Sequence, residues 1–151
     1  MTADQDVVEF ELGGELFALD IMLAREIVEM MPITPIPGAP PHIAGIINLR
    51  GEITTVIGLE KVIGVQATRT MADRKIIVLM SGATRGKNVG FIVDDVRSVI
   101  PAAGVDAHMV AERDLSAYSN SYVKGIIRHG EESGSTLVMW LDVSRILAEA
   151  I

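Results

Sequence analysis

The chain has 151 residues, 49% of them hydrophobic but only 4% aromatic, so it is long enough to bury a substantial core and must build it from aliphatic side chains. Its 13 basic and 20 acidic groups give a net charge of −7, which argues against a nucleic-acid groove or an anionic membrane surface as partner. There is no cysteine for disulfides or thiolate-bound metals, no apolar run near the roughly 20 residues of a membrane helix, and no signal-peptide pattern in the acidic start "MTADQDVVEF", so a soluble cytoplasmic protein is expected.

Residues 1–6 are expected to form a flexible N-terminus. Val8, Phe10 and Leu12 then alternate with Glu9 and Glu11, and Phe17, Leu19 and Ile21 alternate after Gly13-Gly14. Side chains on a strand point to opposite faces in turn, so this pattern predicts a hairpin with one buried face. "AREIVEMM" (24–31) fits either a strand or a short helix, and the proline-dense "PITPIPGAPP" (32–41) can continue neither, which makes it an extended connector against the surface. Residues 46–49 and 53–57 flank Arg50-Gly51 as a second hairpin. "KIIVLM" (75–80) is a short apolar run suited to a strand buried on both faces, paired with "NVGFIVDDVRSVI" (88–100) across "SGATRGK". Residues 101–121 lack a clear period and read as a long connection. "STLVMWL" (135–141) is the last strand; after it Asp142 is a helix N-cap, with Val143, Ile146, Leu147, Ala150 and Ile151 on one helical face.

Three blocks recur in the same order. "FALD" (17–20) is answered by "FIVD" (91–94), "GIINLRGE" (45–52) by "GIIRHGE" (125–131), and "IGLEKVI" (57–63) by "LDVSRIL" (141–147). The shared order points to a pseudo-duplicated, mainly β fold of two similar barrels that exchange strands, because short β units bury their edges by closing up.

Catalytic chemistry is not legible. "GATRGK" (82–87) is one residue short of a phosphate loop, has Asn88 where magnesium would need Ser or Thr, and lies between strands, so it reads as a basic hairpin turn. His42, His108 and His129 have no metal-ligand spacing. Asp94 and Asp95 are neighbours on a strand and face opposite sides, and Ser133 and Ser135 lack a nucleophile elbow. No catalytic, cofactor or metal site is therefore assigned. An interaction module is the best reading. The alternatives are a small-ligand-binding β-barrel sensor with an apolar pocket between its barrels, and a hydrolase using Asp94 or His129.

Together, "FELGGELFALDI", "REIVEMMPITPIPGAPPHIAG", "GIINLRGEITTVIGL", "VGFIVDDVRSVI" and "YVKGIIRHGE…LVMWLDVSRIL" resemble the CheW-like domain family of bacterial and archaeal chemotaxis. The likeness runs from Val7 to Leu147, and residues 7–147 are expected to be one such domain made of two intertwined subdomains, free-standing and without the receiver domain of CheV-type proteins. The resemblance implies two SH3-like five-stranded β-barrels with short helices and a hydrophobic groove between them. It implies a non-catalytic adaptor, without cofactor, that joins the regulatory domain of the histidine kinase CheA to the cytoplasmic tips of chemoreceptors (methyl-accepting chemotaxis proteins).

Carried over residue by residue, Arg50 of the "NLRG" motif is implied to act in kinase coupling, Glu26 of "REI" in receptor or kinase contact, and Gly45 in receptor coupling. Ile27 and Val28 are implied to line the groove, and Val99 to contribute from the second barrel. Elementary chemistry offers a plainer role for each. Gly45 and Gly51 serve backbone geometry, Arg50 is within reach of Glu26 or Glu52, and Ile27 and Val28 suit a core. The chain departs from the family where Thr55 and Gly58 replace a proline and an aspartate; Gly58 is expected to start the next helix without a side-chain cap.

Overall fold

The computed structural model describes residues 6–102, 106–109, 122–129 and 136–150. Strands β1 (Asp6–Leu12) and β2 (Glu15–Asp20) form the first hairpin, and β3 (Ala24–Glu29) resolves the ambiguous segment as a strand. Strands β4 (Ile43–Leu49) and β5 (Glu52–Gly58) form the second, followed by helix α1 (Leu59–Ile63). Next come β6 (Lys75–Leu79), β7 (Val89–Val93), β8 (Asp95–Pro101) and β9 (Asp106–Met109). Strands β10 (Val123–His129) and β11 (Thr136–Leu141) lead into helix α2 (Val143–Ala150).

Two sheets result, one in the order β8-β1-β2-β11-β10-β9 and the other β3-β6-β7-β5-β4. The duplication is visible in their wiring. Hairpin β1–β2 lies parallel to β11 in one sheet, as hairpin β6–β7 lies parallel to β5 in the other. The strand after each hairpin then leaves for the opposite sheet: β3 pairs with β6, and β8 pairs with β1. The echoed aspartates mark these two crossings, Asp20 ending β2 and Asp94 standing between β7 and β8.

Alternation explains why both sheets are buried on two faces. Phe17 and Leu19 of β2, Phe91 and Val93 of β7, and Ile77 and Leu79 of β6 enter one central cluster with Phe10, Ile57 and Leu141. Their neighbours point the other way: Ala18, Val138 and Trp140 fill one sheet's own interior, and Val56, Ile76 and Ile92 fill the other's. Phe10 and Phe17 stack at 6.1 Å between centroids. The apolar face of α2, carrying Val143, Ile146, Leu147 and Ala150, closes the central layer, with Asp142 Oδ1 accepting from the Arg145 N–H at 3.2 Å. The layer in which an apolar ligand would need a pocket is occupied by these side chains.

Three expectations are corrected. Residues 88–100 are not one strand but two, because the chain changes sheets at Asp94. One sheet has six strands instead of five: 106–109, expected within a connection, pairs with β10 as β9. In the other sheet the proline-rich connector makes only the Thr34–Ile46 bridge against β4, since its prolines supply no donors. Finally, β1 already includes Asp6. The rings of His108 and His129, the turn at Gly130, Ser133, Ser135 and Ile151 lie outside the described residues.

Asp94 locks its crossing. It is fully buried and accepts hydrogen bonds from the N–H groups of Gly13 (2.8 Å), Thr68 (3.0 Å) and Arg69 (3.2 Å) and from the Thr68 hydroxyl (3.1 Å). Burial opposes its ionisation, but these bonds outweigh it and hold the carboxyl below the ordinary aspartate value. Its counterpart Asp20 accepts from Trp140 Nε1 at 2.6 Å and Lys124 Nζ at 3.2 Å. Both Asp94 oxygens are engaged and the side chain is fully buried, which makes it a structural acceptor at the crossing.

Candidate functional site

Arg50 and Gly51 form the two-residue tip between β4 and β5, with Leu49 opposite Glu52. Both central residues have positive φ, 51° and 88°, as a type I′ turn requires. Asn48 fixes the turn through its Oδ1, which accepts from the Gly51 N–H at 2.8 Å. An arginine in a left-handed conformation is uncommon, and here it lifts a cationic side chain that is 62% exposed.

That side chain is not free. An Arg50 Nη2 proton is donated to Glu26 Oε2, and Arg25 reaches both Glu52 (3.3 Å) and Glu26 (3.8 Å). Strands β3 and β4 are the two outer strands of their sheet, with no backbone ladder between them among the described residues. The curled sheet brings β3 to the β4–β5 turn, and the chain Glu52–Arg25–Glu26–Arg50 spans the opening with side chains. The five-stranded sheet therefore stays open between its outer strands, bridged there by side chains and not closed into a barrel by backbone pairing. The cluster is solvated, so each pair contributes only about 0–1 kcal/mol, and its main effect is to fix where the arginine points.

The other predicted residues are distributed around this centre. Register places Ile27 opposite Ile77 on the side of the central layer, yet at the sheet edge, where it is 45% exposed. Val28 lies opposite Ile76 and packs half-buried against the cluster of Ile47, Leu49 and Val56. Gly45 is buried. It has φ 147° at a bulge in β4, and a Cβ there would stand 2.2 Å from the Thr34 carbonyl oxygen, so its visible task is to admit the connector against β4. Val99 belongs to the other sheet, opposite Val8 on outer strand β8, and is 51% exposed. The structure therefore brings Arg50 and Glu26 into contact, sets Ile27 and Val28 beside them in sequence on β3, and keeps Val99 apart.

Two residues escaped the sequence reading. Arg25 is the hub of the ion-pair chain; its signal is the exposed, charged start of edge strand β3, next to Glu26. Ile53, opposite Asn48, is 58% exposed and adds an apolar group beside the arginine turn. It stands out of phase with buried Thr54 and Val56.

The two departures from the family pattern have local accounts. The Thr55 N–H donates to the Asn88 carbonyl at 3.0 Å, a bond a proline could not make. Gly58 starts α1 without a side-chain cap, as expected. Instead Glu60 folds back, its carboxylate oxygens 3.2 and 3.3 Å from where a Cβ of residue 58 would be, and pairs with Arg74 at 3.3 Å. Among the described residues no group of three or more His, Asp or Glu side chains could hold a metal, and no helix is long and apolar enough to cross a membrane.

The chain is 29% identical over 143 residues to the chemotaxis protein CheW of Treponema pallidum, covering 94% of this chain and 81% of that protein. It is 26% identical over 144 residues to the chemotaxis protein CheW of Thermotoga maritima, covering 95% and 88%. The crystal structure of the scaffolding protein TtCheW from Thermoanaerobacter tengcongensis superposes with a TM-score of 0.75 at 31% identity, covering 93% of this chain and 86% of that one. The family model described as the CheW-like domain matches residues 6–150. The chain thus belongs to the CheW-like domain family.

Proposed function

We propose that this protein is a non-catalytic adaptor of chemotactic signalling, acting in the cytoplasm to couple the cytoplasmic tips of chemoreceptors to the regulatory domain of the histidine kinase CheA. The observation that carries the reading is the match to the CheW-like domain across residues 6–150, among relatives named as chemotaxis and scaffolding proteins. The physical layout supports it. Its best-defined polar feature is an arginine held outward by an ion pair at a hairpin tip, beside exposed Ile53 and Ile27, a combination suited to gripping another protein.

In this reading residues 7–147 act as one unit. Arg50 and Glu26 form a polar contact pair for the kinase or receptor, and Ile27 supplies apolar contact area with Val28 supporting it from below. Val99 serves a second contact on the other sheet, and Gly45 acts by shaping β4. The test is a titration of the full chain with the kinase regulatory domain and with a receptor-tip fragment from the same genome. Saturable binding to both is expected; binding to neither overturns the reading.

A further inference from the structure

Apart from Arg50, one other non-glycine residue among the described residues has positive φ: Arg85, at 58°, on the turn joining β6 to β7. A left-handed backbone disfavours any residue with a Cβ, and glycine or asparagine is the cheaper occupant. The turn does not need the arginine side chain to fold. The N–H groups of Thr84 and Gly86 both donate to the Ser81 carbonyl, at 3.1 and 2.7 Å, and the hydroxyl of buried Thr84 sits within reach of the Ser81 and Lys87 carbonyls.

The side chains of Arg85 and Lys87 have no hydrogen bond or ion pair among the described residues, whereas Arg25, Arg50, Arg69, Arg74, Lys75 and Arg97 are each paired. In a chain of net charge −7, this turn carries two cations with no partner among the described residues. They border a cavity of about 350 Å³ between this turn and α2, lined by Ala83, Thr84, Arg85 and Lys87 on one side and Ser144, Leu147 and Ala148 on the other. No carboxylate lines it among the described residues. Ser144 is exposed in the first turn of α2, next to the Asp142 carboxylate that caps this helix end by accepting from the Arg145 N–H.

We propose that this cavity is a site for a phosphomonoester. Arg85 and Lys87 match the roughly −1.5 to −2 charge of such a group near pH 7, which a carboxylate would leave half unmatched. The Arg85 fork can take two phosphate oxygens, the Ser144 hydroxyl donates to another, and Leu147 and Ala148 lie against the carrier. The loop lacks the spacing and the helix of a nucleotide-binding loop, so the site recognises a phosphate group and does not transfer one.

The test is an amide NMR titration of the full chain with inorganic phosphate, phosphoserine, adenosine monophosphate, and a short phosphoserine peptide with its unphosphorylated twin. Saturable shifts confined to residues 82–87 and 143–148 are expected, with affinity falling about tenfold or more in the Arg85→Gly, Lys87→Gln double variant. Glycine suits the backbone at position 85, so this variant removes the charges while keeping the turn. Tighter binding of the phosphopeptide than of phosphoserine would assign the phosphate to a protein side chain; tightest binding of the nucleotide would assign it to a free metabolite. Absence of saturable shifts from every phosphate-bearing probe, or undiminished affinity in the folded double variant, overturns the proposal.

Discussion

Two hairpin turns of the same length, Gly13–Gly14 and Arg50–Gly51, share one backbone solution and serve opposite ends. Their central residues all have positive φ, 65° and 84° in the first, 51° and 88° in the second. The first turn is pressed into the molecule: the Gly13 N–H is taken by buried Asp94, and a Cβ on Gly13 would lie 2.9 Å from Val65. The second faces solvent: nothing stands within 4 Å of a Cβ placed on Gly51, and its N–H is satisfied locally by Asn48. A turn type chosen by strand twist is therefore a lock where a buried carboxylate receives it. Where it carries an arginine into water, it holds that side chain clear of the core.

The contrast predicts where substitutions should hurt. Asp94→Ala should destabilise the fold most, by about 3–5 kcal/mol in chemical denaturation, because it strands the donors of Gly13, Thr68 and Arg69 in the interior. Acid should reveal the same lock. The unfolded chain titrates Asp94 near the ordinary 3.8, and the folded chain titrates it lower. Between those values the unfolded state binds more protons, so this contribution is present above about pH 4 and is lost as the pH falls through the folded value. The stability gap between wild type and Asp94→Asn should therefore narrow below about pH 4; a gap that stays constant would mean Asp94 is not ionised in the fold.

Gly45→Ala should come next, at about 2–3 kcal/mol, since φ 147° and the Thr34 carbonyl at 2.2 Å both oppose a side chain. Its thermal melting should fall clearly, which would mark any loss of partner binding in that variant as indirect. Gly51→Ala meets open space and only the backbone preference, so about 1 kcal/mol is expected from the same melts. Arg50→Ala should change stability least, by about 0–1 kcal/mol, because the pair it breaks is solvated.

Much of this was legible in the sequence, for reasons that also mark where legibility ended. The period of two in Val8, Phe10 and Leu12 and the repeated order of "FALD", "GIINLRGE" and "IGLEKVI" state which residues form strands and that the fold is doubled. They do not state which strands pair, so the exchange of β3 and β8 between sheets is visible only in three dimensions. The run "FIVDDV" gives no sign of its break because Asp94 is buried as deeply as its apolar neighbours. Residues 106–109 are too short and mixed to announce a strand, and pair because β10 offers an edge. At the site, charge complementarity offered Arg50 either Glu26 or Glu52, and the fold selects Glu26. The Arg25–Glu52 pair and the Thr34 carbonyl over Gly45 depend on how the sheet curls and where the proline connector lies.

The central claim is that Arg50 is held for a partner and not for the fold. Its most direct test is calorimetric titration of wild type and Arg50→Ala with the kinase regulatory domain and the receptor tip, alongside their melting curves. We predict that Arg50→Ala melts close to wild type yet binds at least one partner about tenfold or more weakly. Unchanged affinity for both partners, with unchanged melting, would contradict the account and leave the arginine a bystander.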